Sequence, residues 1–338
     1  MPKFRTVVEY DGTAYHGWQL QKELCTIQGE MERALARIVG KPTRVHGAGR
    51  TDAGVHATGQ VAHFVSDWSR GIDELKRGCN ALLPADIALV GLDYAADDFH
   101  ARHSAHCKTY VYRILNRPIR SPLQRLYAWH IPQTPDVDRM AEAARHLIGT
   151  HDFAAFGTPT DGTPSTVREI LNADWRQNSA DGTLNFSITG TGFLRYMVRA
   201  LVGTLVLVGR NKLKPEQFLA VLRSRDRSKS GPTAPPHGLC LESVEYGDSE
   251  DRPTRSEGDR QRAWEPPLSL RSKTKSSMAG IQLHIGTRAL GAHPEGRNQA
   301  ELSVIPTEAG IQSTMAGSSG QRSDSLQPDS TGPRLSPG

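Results

Sequence analysis

The stretch "GAGRTDAGVHATGQVAHF", from Gly47 to Phe64, sets an arginine and a carboxylate two residues apart, Arg50 and Asp52, on a turn with four glycines. Glycine lets a backbone take shapes closed to other residues and lets a ligand come close. An aspartate on such a turn ordinarily hydrogen-bonds its own backbone. A guanidinium within about 6 Å changes that reading, because it favours the ionised carboxylate and lowers its pKa by about 1–3 units. An ionised, oriented carboxylate beside a glycine-lined opening suits a nucleophile. Glycosidic bonds are a natural target, since carboxylates attack or stabilise an oxocarbenium-like sugar carbon. Glycosidases use two carboxylates, however, and this turn offers one. A lone carboxylate points away from simple hydrolysis.

Three further places carry chemistry. Tyr110 begins the strand pattern "KTYVYRIL"; such an aromatic is ordinarily a half-buried strand residue, and it is also a flat face on which a flipped base can stack. Arg199 lies within "FLRYMVRALVG". A basic residue in so apolar a helix must snorkel or find an anion, and Asp52 is a candidate partner. Arg195, one helical turn earlier, shares that face and can meet a phosphate. The run "FHARHSAHC" gathers His100, His103, His106 and Cys107 at spacings a metal could use, against the plain reading of a polar loop entering a strand. His46, His56 and His63 lack the i, i+4 spacing of an HExxH site.

These residues need elements to position them. "KFRTVVEY" reads as a strand ended by the turn "DGT". Ile27, Met31, Ala34, Leu35 and Ile38 make an amphipathic helix stripe, with Thr26 as its N-cap and Gly40 at its end. "TRVHGA" and "GQVAHFVS" read as strands flanking the glycine-rich turn. Ile72, Leu75, Cys79 and Leu82 mark a second helix stopped by Pro84, and "DIALVGLDY" a further strand. The grammar then repeats: strand "KTYVYRIL", with Tyr110, Tyr112 and Ile114 on one face; a helix over Val137, Met140, Ala144, Leu147 and Ile148; strands "EILNADW" and "TLNFSIT"; a long buried helix over "FLRYMVRALVGTLVLVG"; a short helix "PEQFLAVLRSR"; and the closing strand "LCLESVEY". Strands with intervening helices, twice over, predict two α/β halves, residues 1–105 and 106–247, with sheets covered on one face.

After "LCLESVEYGDSE" the composition turns to Ser, Gly, Pro and Arg. Such a stretch cannot bury enough apolar surface to offset the entropy of ordering, so residues 248–338 are expected to form a disordered tail. From Asp248 onward basic and acidic residues are equal in number, so the net charge of +5 falls on the preceding part. That excess is compatible with a phosphate-rich partner. No run of about 18 apolar residues offers a membrane span, and no secretory leader is recognisable. Four cysteines without a CxxC read as reduced cytosolic thiols. Neither GxGxxG after a strand nor GxxxxGK[ST] is present, which argues against a nucleotide-cofactor fold.

The motifs "VEYDGTAYHGWQ", "AGRTDAGVHATGQVAHF", "NALLP", "DDFHARHSAHCKTYVYRI", "FLRYMVRALVGTLVLVG" and "GLCLESVEY", in this order from about Phe4 to Tyr246, resemble the tRNA pseudouridine synthase A family. The resemblance implies isomerisation of uridine to pseudouridine at positions 38, 39 and 40 of the tRNA anticodon stem-loop. It implies no cofactor or metal, a cytoplasmic homodimer in which one tRNA contacts both subunits, and a ferredoxin-like, mainly antiparallel α+β plan in each half. The family's nucleophilic aspartate falls on Asp52, its base-stacking tyrosine on Tyr110, the arginine that displaces the target nucleotide on Arg50, and the arginine paired with the aspartate on Arg199. His100 and Arg102 match its "FHAR", which makes them substrate-binding candidates beside Arg195, whereas His103 and His106 fall outside its pattern. The rival readings are an RNA-binding protein that has lost catalysis and a hydrolytic nucleosidase. The tail and "VGRNK", at a turn expected to be small and often glycine-containing, depart from the family without touching the proposed site.

Overall fold

The computed structural model describes residues 1–159, 164–178 and 181–247; the tail expected over 248–338 lies outside them. The first half runs β1 (Lys3–Tyr10), α1 (Ile27–Val39), β2 (His46–Gly47), β3 (His56–Val65), α2 (Ile72–Leu82) and β4 (Ile87–Ala95). The second runs β5 (Ala105–Leu115), β6 (Trp129–His130), α3 (Val137–Arg145), β7 (Gly149–Asp152), β8 (Val167–Asn178), β9 (Thr183–Gly190), α4 (Met197–Gly209), α5 (Pro215–Ser224) and β10 (Leu239–Tyr246).

Both halves follow one plan. In the first, β4, β1, β3 and β2 lie side by side, each pair antiparallel; in the second, β10, β5, β9 and β8 repeat that order, again antiparallel. This is the strand order of a βαββαβ ferredoxin-like unit, formed twice. The two units share one sheet, because β10 pairs antiparallel with β5 and parallel with β3. Leu241 stands in register with both Ala57 on β3 and Tyr110 on β5. That row carries the start of β3, just after the glycine-rich turn, to within two strand spacings of Tyr110, about 10 Å at roughly 4.8 Å per strand.

Local chemistry explains both ends of α1. Thr26 is extended and its hydroxyl accepts from Gly29 N at 3.3 Å, while Gly40 closes α1 in the left-handed region at φ 81°. Helix α4 is apolar all round and almost wholly buried, as expected of a helix inside a core. Three expectations need correction. Helix α4 starts at Met197, not at Phe193, because Arg195 is bridged to Thr158 through both backbone groups and Tyr196 sits at φ 65°. Strand β2 is two residues long, because Val45 gives its N–H to Glu32 Oε1 and its carbonyl to Gln28 Nε2 on α1 instead of to a neighbouring strand. Helix α3 ends at Arg145, before Leu147 and Ile148; a turn follows into Gly149 at φ 100°, with Leu147 buried and Ile148 exposed.

Candidate active site

The loop 48–55, between β2 and β3, is fastened from three sides. Gln60 on β3 is wholly buried and clamps Gly49, its amide nitrogen donating to Gly49 O at 2.7 Å and its oxygen accepting from Gly49 N at 3.3 Å. Thr51 Oγ1 pairs with the Tyr10 hydroxyl at 2.8 Å, and Thr51 O accepts from Trp18 N at 3.1 Å. Asp52 then opens a tight turn whose Val55 N–H returns to Asp52 O at 3.1 Å, with Gly54 third at φ 76°. A positive φ at that position is what a type II turn demands. Gly47 has a different reason: a Cβ there would lie 2.5 Å from the Trp18 ring. Gly49 has neither constraint, and a Cβ there would make ordinary contact with the Tyr110 hydroxyl at 3.5 Å.

Asp52 meets a cation from the other half of the chain. Arg199, in the first turn of α4, donates from Nη1 to Asp52 Oδ2 at 3.0 Å and from Nε to Ala234 O at 2.8 Å. The second bond fixes the plane of the guanidinium, and both partners of the ion pair are mostly buried, at 13% and 18% side-chain exposure. Burial raises the Asp52 carboxyl above its ordinary pKa; the Arg199 charge and hydrogen bond, and the Arg195 charge, act in the lowering direction without cancelling it. The direction is opposite to the one expected from Arg50 alone. The cations that oppose the burial effect are Arg199 and Arg195, while Arg50 is exposed on the loop.

Tyr110 is 6% exposed, packs edge-on against Phe193 with centroids 5.0 Å apart, and has a phenol pushed far up by burial, by Tyr10 and by the Asp52 charge. Tyr196 carries both site arginines, Arg195 at 4.7 Å and Arg199 at 5.5 Å from its ring centroid, and its hydroxyl accepts from Arg195 Nη2 at 2.8 Å. Arg195 therefore reaches the site from an extended segment before the helix.

The structure thus brings Asp52, Arg199, Arg195 and Tyr110 together. His100 goes elsewhere: its ring lies 4.6 Å from that of His63, 5.9 Å from His46 and 4.3 Å from His103, and its Nδ1 accepts from Arg102 N at 3.1 Å. Arg102 places its charge near Lys108. Among the described residues no group of three or more His, Cys, Asp or Glu side chains is arranged to hold a metal. His56 serves the framework, with Nδ1 3.1 Å from Gly12 N and Nε2 2.9 Å from Leu126 O. Sequence reasoning missed Gln60, Tyr196 and Phe193. Their signals were faint: a glutamine between glycine and valine within a strand pattern, and two aromatics flanking Leu194 and Arg195.

An ionised carboxylate, held by a buried arginine beside an aromatic shelf, can attack or stabilise an electron-poor carbon. The family described as tRNA pseudouridine synthase matches residues 6–104 and 143–247. The chain is 46% identical over 247 residues to the tRNA pseudouridine synthase A of Geobacter sulfurreducens, covering 73% of this chain and 100% of that one. It is 45% identical over 246 residues to the one of Syntrophotalea carbinolica, covering 73% and 97%. With the one of Thermoanaerobacter sp. (strain X514) it shares 43% over 240 residues, covering 71% and 98%. Asp52, Arg195 and Arg199 fall inside the segments that the family matches, with Tyr110 between them; from that match over more than half of the sequence and from these identities, the chain belongs to the tRNA pseudouridine synthase family, isomerases that convert uridine to pseudouridine in tRNA.

Proposed function

We propose that this enzyme isomerises uridine at positions 38, 39 and 40 of the anticodon stem-loop, with Asp52 as the reacting carboxylate. The balance of the reaction defines what the site must do. The C1′–N1 bond breaks, the uracil turns over, C1′ bonds to C5, the proton on C5 leaves and N1 gains one. Asp52 adds to C1′, adds to C6 or takes a proton from the sugar; each route needs its charged form. A carboxylate raised by burial is a stronger base and nucleophile than an exposed one, and Arg199 and Arg195 oppose its protonation. Tyr110 offers the face on which the detached uracil stays stacked while it turns, and Arg50, exposed on the same loop, displaces the target nucleotide. Everting that base costs a few kcal/mol, offset by a contact to Arg195 at the site and by contacts of the RNA strand to His100 and Arg102 away from Asp52.

The observation that carries the reading is the ion pair of Asp52 with Arg199, which joins the two halves at a mostly buried carboxylate. Asp52→Ala tests it. Pseudouridine formation in an anticodon stem-loop should vanish while stem-loop affinity stays within a few-fold. Surviving turnover would sink the nucleophile assignment, release of free uracil by the intact enzyme would mark a nucleosidase, and binding without turnover by the intact enzyme would mark a binding protein. The working form we propose is a cytoplasmic homodimer needing no cofactor, with residues 1–105 and 106–247 as its two α/β units. Among the described residues no helix is long and apolar enough to cross a membrane.

A further inference from the structure

Lys108 is 8% exposed, and no hydrogen bond or ion pair of its ammonium is found among the described residues. Lysine is almost never buried unless paired, and a buried charge without a partner is costly. On β5 it stands two residues before Tyr110, so the alternation of a strand puts both side chains on one face. The placement is close: Lys108 Cδ and Cε lie 3.7 Å, and the Tyr110 hydroxyl 3.5 Å, from the position of a Cβ on Gly49. The lysine stem therefore lines the loop that carries Asp52.

Its neighbours supply no anion. Burial lowers the Lys108 pKa and the Arg102 charge lowers it further. Arg102 acts in the same direction on Arg168, which is half-buried at the start of β8 and lies against Gly192. Lys108 itself stands opposite Gly190 in the β5–β9 register, two residues from that glycine. Cys107 is no counter-ion, since burial and Glu245 push its thiol up to about 11. Glu245 is turned to that thiol, with Oε2 3.5 Å from Sγ. Arg102, in the loop before β5, thus brings its charge near both Lys108 on β5 and Arg168 on β8, and of the three it is Lys108 that lies against the catalytic loop.

We propose that Lys108, supported by Arg102 and Arg168, seats a backbone phosphate of the RNA next to the everted uridine. The phosphodiester supplies the missing anion and anchors the strand while the base turns. This rests on the reading of the site as a tRNA isomerase, and binding measurements separate the two. Affinity for an unmodified anticodon stem-loop would be measured against salt for the intact protein, Lys108→Met and Lys108→Arg. Lys108→Met should bind about tenfold more weakly, with a log–log salt slope shallower by about 0.7–0.9, the share of one phosphate. Lys108→Arg should restore both. A neutral methylphosphonate at the linkage flanking the target should weaken the intact protein and leave Lys108→Met unaffected. Thermal unfolding confirms that Lys108→Met is folded, since losing an unpaired buried charge should not lower its Tm. An unchanged slope in Lys108→Met, or a methylphosphonate effect that persists in it, overturns the phosphate seat. So does normal binding with lost turnover in Lys108→Arg, which would give Lys108 a chemical role. Failure of the isomerase reading appears separately, as an intact protein that binds the stem-loop and forms no pseudouridine.

Discussion

Asp52 and Arg199 form a pair whose two members need each other for different reasons. Burial disfavours the charged carboxylate, and the guanidinium restores part of what the lost water supplied. The guanidinium, 13% exposed, would otherwise be a buried cation facing the Ala234 carbonyl and the Tyr196 ring with no anion. Breaking such a pair by deleting one partner costs roughly 3–5 kcal/mol. The acid limb of pseudouridine formation should therefore lie above the ordinary carboxylate value of about 3.9. Arg199→Met removes the main lowering influence, so the limb should move to higher pH and the rate near neutrality should fall; Arg199→Lys should sit between. A pH–rate profile of single turnovers checks this, and an unmoved limb in Arg199→Met would show that Arg199 does not govern the protonation of Asp52.

At the scale of elements, β3 serves two masters. Its start belongs to the catalytic loop, and its far end carries His63, packed between His46 on β2 and His100 in the loop before β5. His63 Nδ1 accepts from Ala101 N at 3.1 Å. Burial, with the neighbouring His100, His46 and Lys3 charges, lowers its pKa to about 4. The folded state therefore prefers the neutral ring. That contribution to stability is whole above the unfolded value near 6.5 and is lost as pH falls from there through about 4. His63→Gln keeps an acceptor for Ala101 N without titrating. Its Tm should drop less between pH 7 and pH 5 than that of the intact protein; equal drops would place the acid sensitivity elsewhere.

For the whole molecule, β10 is the seam. It is the last described strand, yet it lies between β3 and β5 and joins the two ferredoxin-like units. Near its end the Tyr246 hydroxyl donates to Ala101 O at 2.7 Å, and its ring packs on Phe99 at 5.0 Å. A chain ending at Gly247 should keep pseudouridine formation within about threefold, since every residue placed at the site precedes that point. A chain ending at Gly238 leaves β3 and β5 with open edges and should lose both activity and cooperative unfolding. Parallel assays of the two truncations decide; failure of the first would assign the following residues a part in folding or in RNA binding. The amino-acid sequence alone determined the elements that depend on near neighbours: the Thr26 and Gly40 ends of α1, the stripes of α1 and α2, the shared face of Tyr110, Tyr112 and Ile114 on β5, and the motif that singled out Asp52. Those features rest on side-chain period and capping, which act over a few residues. Only the tertiary structure decided that Arg199 and Arg195 oppose the effect of burial on Asp52, that burial outweighs them, and that Lys108 is buried without an anion. Charge interactions depend on distance and desolvation in space, and Asp52 and Arg199 are separated by 147 positions along the chain yet by 3.0 Å in the fold.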